Sequence, residues 1–288
     1  MTLNRLINKL LFFIGIKSYR WKLAICSKKG KKIKIIKIFN PGFFEFWADP
    51  FFVKFKKKKY IFFETYNYLK KKGEISCVEI LNNNIVDKRK ILEFNYHLSY
   101  PNIFKYNKNF YLIPETYENN KTTIYKSTKF PYKWKKFNTL FHGEKICDTT
   151  VLTHNKKLWL FFNKAKKNIN EINKKLYIYK SKNYNFSKIV SHKKNPVINN
   201  LYSSRSAGSF FRENKNLIRP AQINKKNIYG YGLSLNKVIK LDMNRFDQVE
   251  ILRITPKSFN NKNICGVHHY SKISDELFLT DLCFRFSF

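Results

Sequence analysis

Carboxylates recur at a fixed place in this sequence. Asp49 lies near the start of WADPFFVKFKKKKYIFFE and Glu64 closes it, fifteen positions on. The same spacing separates Tyr100 from Glu115 in YPNIFKYNKNFYLIPE, and Asp148 from Asn163 in DTTVLTHNKKLWLFFN. It returns between Gly266 and Asp281 in GVHHYSKISDELFLTD, and RSAGSFFRENKNLIRP, residues 205–220, is a looser fifth copy. Carboxyl groups gathered away from water repel one another and lose hydration. Their pKa values then separate, so that one acts as acid and another as base. Asp49, Glu115 and Asp148 are the candidate catalytic set, a carboxylate site suited to glycosidic chemistry. Trp47, Glu64, Tyr100, Arg205, Arg219, Gln222, His268 and His269 are the candidate substrate-binding groups. Arginine is scarce here, nine of 57 basic residues, and its planar fork recognises a carboxylate, phosphate or sugar hydroxyl as lysine cannot. Each candidate also has a plain structural role open to it. Asp49 before Pro50 can start a turn, Glu115 can end a loop in solvent, and Asp148 can bind its own backbone. Arg205 can pair with a ring carboxylate, and His268 can be a satisfied core residue.

These residues need elements that bring them together. Each stretch is two apolar runs joined by a short polar turn, the pattern of a β-hairpin. An antiparallel hairpin returns its ends to the same place, which puts Asp49 beside Glu64. Two further strands follow each of the first three hairpins, at 74–81 and 85–94, at 122–127 and 134–140, and at 175–181 with a segment reaching 197. Strands at 229–235, 238–241 and 249–254 follow the fourth. Units of about four strands recurring at about 50 residues are the mark of propeller blades. The expected fold is therefore all-β, a five-bladed β-propeller over 21–288 preceded by an arm or short helix over 1–20. Strands at 21–25 and 33–38 are expected to close the ring. A β-sandwich with hairpins alike by coincidence is the alternative.

Composition narrows the partners. The formal net charge is +38, with hydrophobic residues at 43%, enough for a packed core. The lysines are scattered through turns rather than gathered on one arm or helix face, and Lys, Asn, Ile, Phe and Tyr all have AT-rich codons. No specific nucleic-acid partner is expected; a polyanion-binding protein remains a third reading. Five cysteines without CxxC spacing predict free thiols, and His97, His142, His154 and His192 have no metal-ligand spacing. No metal or cofactor is expected. GxSxG, P-loop, GxGxxG and HExxH signatures are missing. The apolar run at 10–16 is too short to cross a bilayer, so membrane contact is expected to be at most peripheral, through an amphipathic helix at 3–13. The expected location is the cytoplasm, at most against the inner face of the membrane.

A longer series of motifs points to a family. FWADPFF with IFFE, GEISCVEI, HLSYPNIF with YLIPE, IYKSTKFPYKW, CDTT, LWLFF, LYIYKS, HKKNPV, SRSAG, RPAQ with YGYG, and GVHHYS occur in that order. The series resembles the N-terminal propeller domain of plant glucosamine inositolphosphorylceramide transferases over roughly 21–281. A similar module occurs in bacterial surface-glycan gene products. The resemblance implies a five-bladed propeller related in shape to glycoside hydrolase family 43. In those enzymes an Asp opening the first blade is the general base, a match for Asp49; Glu115 and Asp148 are the nearest candidates for the other acids. The glycosyltransferase domain that follows in the plant proteins has no counterpart in these 288 residues, so its activity is not carried over. The expected function is to recognise or process a sugar, nucleotide-sugar or glycan precursor in surface-polysaccharide or glycolipid synthesis, with a separate glycosyltransferase as a possible partner. A non-catalytic glycan-binding or scaffold module is the alternative.

Overall fold

The hairpins carry too many consecutive large apolar residues for a sheet with one wet face. Runs such as Tyr60-Ile61-Phe62-Phe63 require cover on both faces. In the computed structural model, which describes residues 19–165, 171–183, 185–225 and 228–285, five sheets supply that cover for one another. The arm expected over 1–20 lies outside the described residues except for Tyr19 and Arg20, which begin the first strand; the helix at 3–13 and the chain end at 286–288 also lie outside them.

Strands β1 (Tyr19–Lys29) and β2 (Lys32–Phe39) come first in the chain and belong to the last sheet. Blade one is β3 (Glu45–Phe55), β4 (Lys58–Asn67), β5 (Lys72–Leu81) and β6 (Asn84–Leu92). Blade two is β7 (Ser99–Tyr106), β8 (Asn109–Glu115), β9 (Thr122–Lys129) and β10 (Lys133–Leu140). Blade three is β11 (Ile146–His154), β12 (Lys157–Lys164), β13 (Lys175–Ser181) and β14 (Ile189–Ser191), with β15 (Ile198–Asn199) also on β13. Blade four is β16 (Phe211–Glu213), β17 (Asn216–Lys225), β18 (Ile228–Leu241) and β19 (Phe246–Ile254). Blade five joins β20 (Ile264–Val267), β21 (Ser271–Lys272) and β22 (Leu277–Arg285) to β1 and β2, so the early strands close the ring.

Two strand expectations are corrected. Segments 229–235 and 238–241 form the single strand β18, which absorbs the interruption as bulges at Leu235/Asn236 and Val238/Lys240. The looser fourth hairpin has an inner strand of only three residues, with Ser206 bridging Ala221 ahead of it.

The five apolar clusters are the five interfaces between blades. Phe51, Tyr60 and Phe62 pack toward blade two with Tyr100 and Leu112, while Ile61 and Phe63 pack toward blade five with Leu23 and Leu279. Successive side chains of a strand point to opposite faces, and here both faces are interior. The hairpin turns use pairs at positive φ: Lys56-Lys57, Asn107-Lys108, Asn155-Lys156 and Asn214-Lys215. That backbone matches the twist of tight two-residue turns.

Candidate active site

Three inner strands begin with the same irregularity. Asp49, Tyr100 and Asp148 have φ of 53°, 42° and 51°. The ladder skips at each: Ala48 pairs with Glu64 and then Phe51 with Phe62, Ser99 with Glu115 and then Asn102 with Ile113, Cys147 with Asn163 and then Thr150 with Phe161. The fifteen-residue spacing thus marks a bulge residue, and the residue before it is the true cross-strand partner. A left-handed non-glycine backbone costs about 1–3 kcal/mol and is held only where its surroundings dictate it.

What dictates it is the neighbouring blade. Asp49 N–H donates to Asp281 Oδ2 at 2.8 Å, Tyr100 N–H to Asp49 Oδ2 at 3.2 Å, and Asp148 N–H to Glu115 Oε2 at 3.2 Å. A carboxylate of one blade caps the bulge of the next.

At the seam of blades five and one, Asp281 also accepts the N–H of His268 at 3.2 Å and of His269 at 3.0 Å. Its Oδ1 lies 2.9 Å from His268 Nδ1, and His268 Nε2 lies 3.4 Å from Asp49 Oδ1. Burial alone would push the His268 imidazole down, but the charge and hydrogen bond of Asp281, with Asp49, outweigh it and hold it up. Burial alone would raise the Asp49 carboxyl. The His269 imidazole, at 3.6 Å, and the charges of His268 and Arg205 hold it below the ordinary carboxylate range. Asp49, His268 and Asp281 place ligand atoms within 4.8 Å of one another, a spacing a cation can use. Asp281 Oδ1 is already committed to two amides and the imidazole, so the three side chains close on themselves as a carboxylate–imidazole–carboxylate chain.

Blades two, three and four build a different arrangement. Arg205 Nε lies 2.5 Å from Asp148 Oδ2, its Nη1 donates to Asn173 Oδ1 at 2.8 Å, and its Nη2 is 3.7 Å from Glu115 Oε2. Burial opposes the Arg205 charge, but Asp148 overrides it and the guanidinium stays firmly charged. Burial, then the Asp148 charge, pushes the Glu115 carboxyl well above its usual range despite Arg205. Glu64 is raised likewise, by burial and then by Asp49 and Glu115. Its Oε1 accepts no hydrogen bond and lies 3.5 Å from His97 Nε2. His97 Nδ1 accepts the Gly73 N–H at 2.9 Å, which leaves the proton of the neutral ring on Nε2, facing Glu64. A Cβ at Gly73 would stand 2.8 Å from that Glu64 oxygen and collide with the Leu98 carbonyl, so glycine is required there.

Asp49, Glu64, Glu115, Arg205 and His268 face one cavity of about 400 Å3. Its walls are aromatic, formed by Trp21, Phe46, Tyr66, Tyr68 and Tyr229. The other sequence candidates do not line it. Trp47 packs between blades five and one, its indole N–H on Glu45 Oε2 at 3.0 Å. Tyr100 is buried, with its hydroxyl on Thr150 Oγ1 at 2.7 Å and accepting the Gly208 N–H at 2.9 Å. Asp148 stands behind Arg205. Arg219 donates to the carbonyls of Ser203 at 2.7 Å and Ser204 at 2.6 Å, and burial draws its pKa down to about 10. Gln222 reaches the Ser206 carbonyl at 3.0 Å, and His269 packs on Phe51 with ring centres 4.6 Å apart. His97 and the aromatic wall are additions that no local spacing announced.

The family model of the N-terminal region of glucosamine inositolphosphorylceramide transferase 1 matches residues 31–276. The chain belongs to this family. Glucosamine inositolphosphorylceramide transferase 1 of Arabidopsis thaliana is 28% identical over 240 residues, an alignment covering 78% of this chain and 30% of that protein. The family domain thus spans about a third of the curated relatives it matches. A family 117 glycoside hydrolase from the marine bacterium Zobellia galactanivorans superposes with a TM-score of 0.57 at 10% identity, over 92% of this chain and 90% of that one. A thermostable family-43 glycoside hydrolase gives 0.53 at 14% identity, over 86% and 92%. At such identities the two hydrolases share the family domain's fold, the propeller expected from the hairpin repeat.

Proposed function

We propose that the cavity binds a sugar unit of a glycan or glycolipid precursor, and that Asp49 and Glu115 act on its glycosidic linkage as base and acid. The observation that carries this reading is the contrast between two carboxyls of one cavity: histidines and Arg205 hold Asp49 below the ordinary carboxylate range, while burial and Asp148 hold Glu115 well above it. Asp49 can accept a proton from water or a substrate hydroxyl, and Glu115 can donate one to the leaving oxygen. Arg205, 3.7 Å from Glu115, stabilises the carboxylate left behind. Glu64 offers an unpaired oxygen to a sugar hydroxyl, and the aromatic walls offer flat apolar faces to a sugar ring. The name of the plant relatives concerns a glucosamine-bearing glycolipid, which supports a glycan precursor as ligand and a glycosyltransferase as partner.

A second reading, a sugar-binding module without turnover, is favoured by Arg205, which already holds Asp148 in a tight ion pair. A binding screen of sugars and nucleotide-sugars, followed by hydrolysis and transfer assays on the binders, separates the two. Loss of turnover in Glu115→Gln at least 100-fold, with affinity kept within about threefold, supports catalysis. Binding without turnover in the unaltered protein supports the module. Sugar binding unaffected by Asp49→Asn places the ligand elsewhere and sinks both.

A further inference from the structure

The carboxylate cavity has a neighbour of opposite character. Tyr19, Trp21 and Tyr229 line both it and a second pocket of about 670 Å3. Beyond that shared wall the second pocket is formed by Ile228, Tyr231, Pro256 and Ile264, with Cys265 beside them and the cations Lys257 and Arg285. No carboxylate lines it among the described residues, and neither cation is ion-paired there. Lys257 also lines a third cavity of about 780 Å3, shared with Lys29, Lys31, Lys32 and Lys34 and again without a carboxylate. The surface therefore passes from an acidic, aromatic cavity through an apolar pocket to a lysine-lined hollow. With 57 basic residues against 19 acidic ones, isolated surface lysines mean little. A graded track that begins at the candidate active site, with shared walls at each step, is a different observation.

We propose that the second pocket is a binding site for an apolar group carrying an oxyanion, phosphoryl or carboxyl, attached to the sugar in the carboxylate cavity. Charge complementarity selects this occupant. In the first cavity an anionic substituent meets Asp49 and an Arg205 already paired with Asp148; in the second it meets Lys257 and Arg285, which have no carboxylate beside them among the described residues. Its apolar portion lies against Tyr231, Ile228 and Ile264, and the Arg285 fork suits either oxyanion. The attachment to a sugar rests on the functional reading above; the pocket's preference for an apolar oxyanion does not.

Cys265 reports occupancy. Contact with Cys283 and the charge of Arg285 draw its thiol down against burial, and the other four cysteines are buried, so iodoacetamide at pH 8 is expected to label Cys265 first. The test follows iodoacetamide labelling of Cys265 by mass spectrometry on the full chain, with phenyl phosphate, benzoate or benzyl alcohol present. Phenyl phosphate or benzoate is expected to slow labelling at least fivefold, and the stronger of the two identifies the oxyanion. Benzyl alcohol is expected to leave the rate unchanged. In Lys257→Glu the anion concentration giving half protection should rise at least tenfold, and in Asp49→Asn protection should persist. Equal protection by benzyl alcohol, or none by either anion, overturns the proposal. Sugar binding without any Cys265 protection would discard this pocket alone. Protection in a protein that binds no sugar would discard the sugar link and the functional reading while the anion pocket stands.

Discussion

At the seam of blades five and one, Asp281 sits among donors: three amide N–H groups and an imidazole. In blades two and three, Glu115 accepts one amide, from Asp148, and shares Arg205 with that residue's carboxylate. Both carboxylates perform the same structural task, capping the bulge of the following blade. They differ in how many N–H groups surround them and in the cation each faces, an imidazole for Asp281 and a guanidinium for Glu115. Between Asp49, lowered beside the histidines of that seam, and Glu115, raised by burial and Asp148, the surroundings separate two carboxyls of one cavity.

The comparison breaks most visibly at Asp281. Asp281→Asn removes the charge facing His268 and turns an amide N–H group toward existing donors. The expected loss is about 3–5 kcal/mol in urea unfolding at pH 7. A loss below 1 kcal/mol would mean that the seam does not depend on that charge. Arg205→Lys should cost about 2 kcal/mol, because a point charge replaces a fork reaching Asp148, Asn173 and Glu115.

Protonation gives the two regions opposite pH slopes. The Glu115 carboxyl is raised, so its contribution is full below the ordinary glutamate range and is lost as pH rises through its folded value. Glu115→Gln mimics the protonated form and should flatten that decline, gaining about 1 kcal/mol at pH 8. The Asp49 carboxyl is lowered, so its contribution is present above the ordinary aspartate range and is lost as pH falls through its folded value. Asp49→Asn should therefore be destabilising at pH 7 and progressively less so as pH falls below the ordinary aspartate range, read from unfolding curves across that range. Matching slopes for the two variants would erase the distinction between the regions. The smallest effect belongs outside the ring: Lys58→Ala, which breaks an exposed 2.9 Å pair with Glu79, should leave the urea midpoint within the scatter of repeated unfolding curves.

Much of this was legible in the chain. Apolar runs interrupted by Lys and Asn turns announced the hairpins, and their even spacing announced the blades. That Asp49, Glu64 and Glu115 come together followed from hairpin ends returning to one place. The bulge was not legible, because the left-handed turn at Asp49, Tyr100 and Asp148 is imposed by acceptors on the adjacent blade. Trp47 shows the consequence: side-chain direction alternates along a strand, so Phe46 and Ala48 reach the cavity while Trp47 enters the core. Arg219 shows another limit. Its scarcity as an arginine put it among the substrate-binding candidates, but it is spent on the carbonyls of Ser203 and Ser204, backbone atoms with no sequence signature.

The closure of blade five by β1 and β2 sets an order in time. Tyr19 pairs with Arg285 and Leu23 with Asp281, so β1 waits for a partner made long after it. Contacts so distant in the chain form slowly. Until they form, the unpaired strand edges are exposed to other chains. Asp281 reaches Asp49 through that same last pairing. The surroundings that draw Asp49 down are therefore complete only once the ring has shut, and until then the chain holds the acids without the neighbours that set them apart.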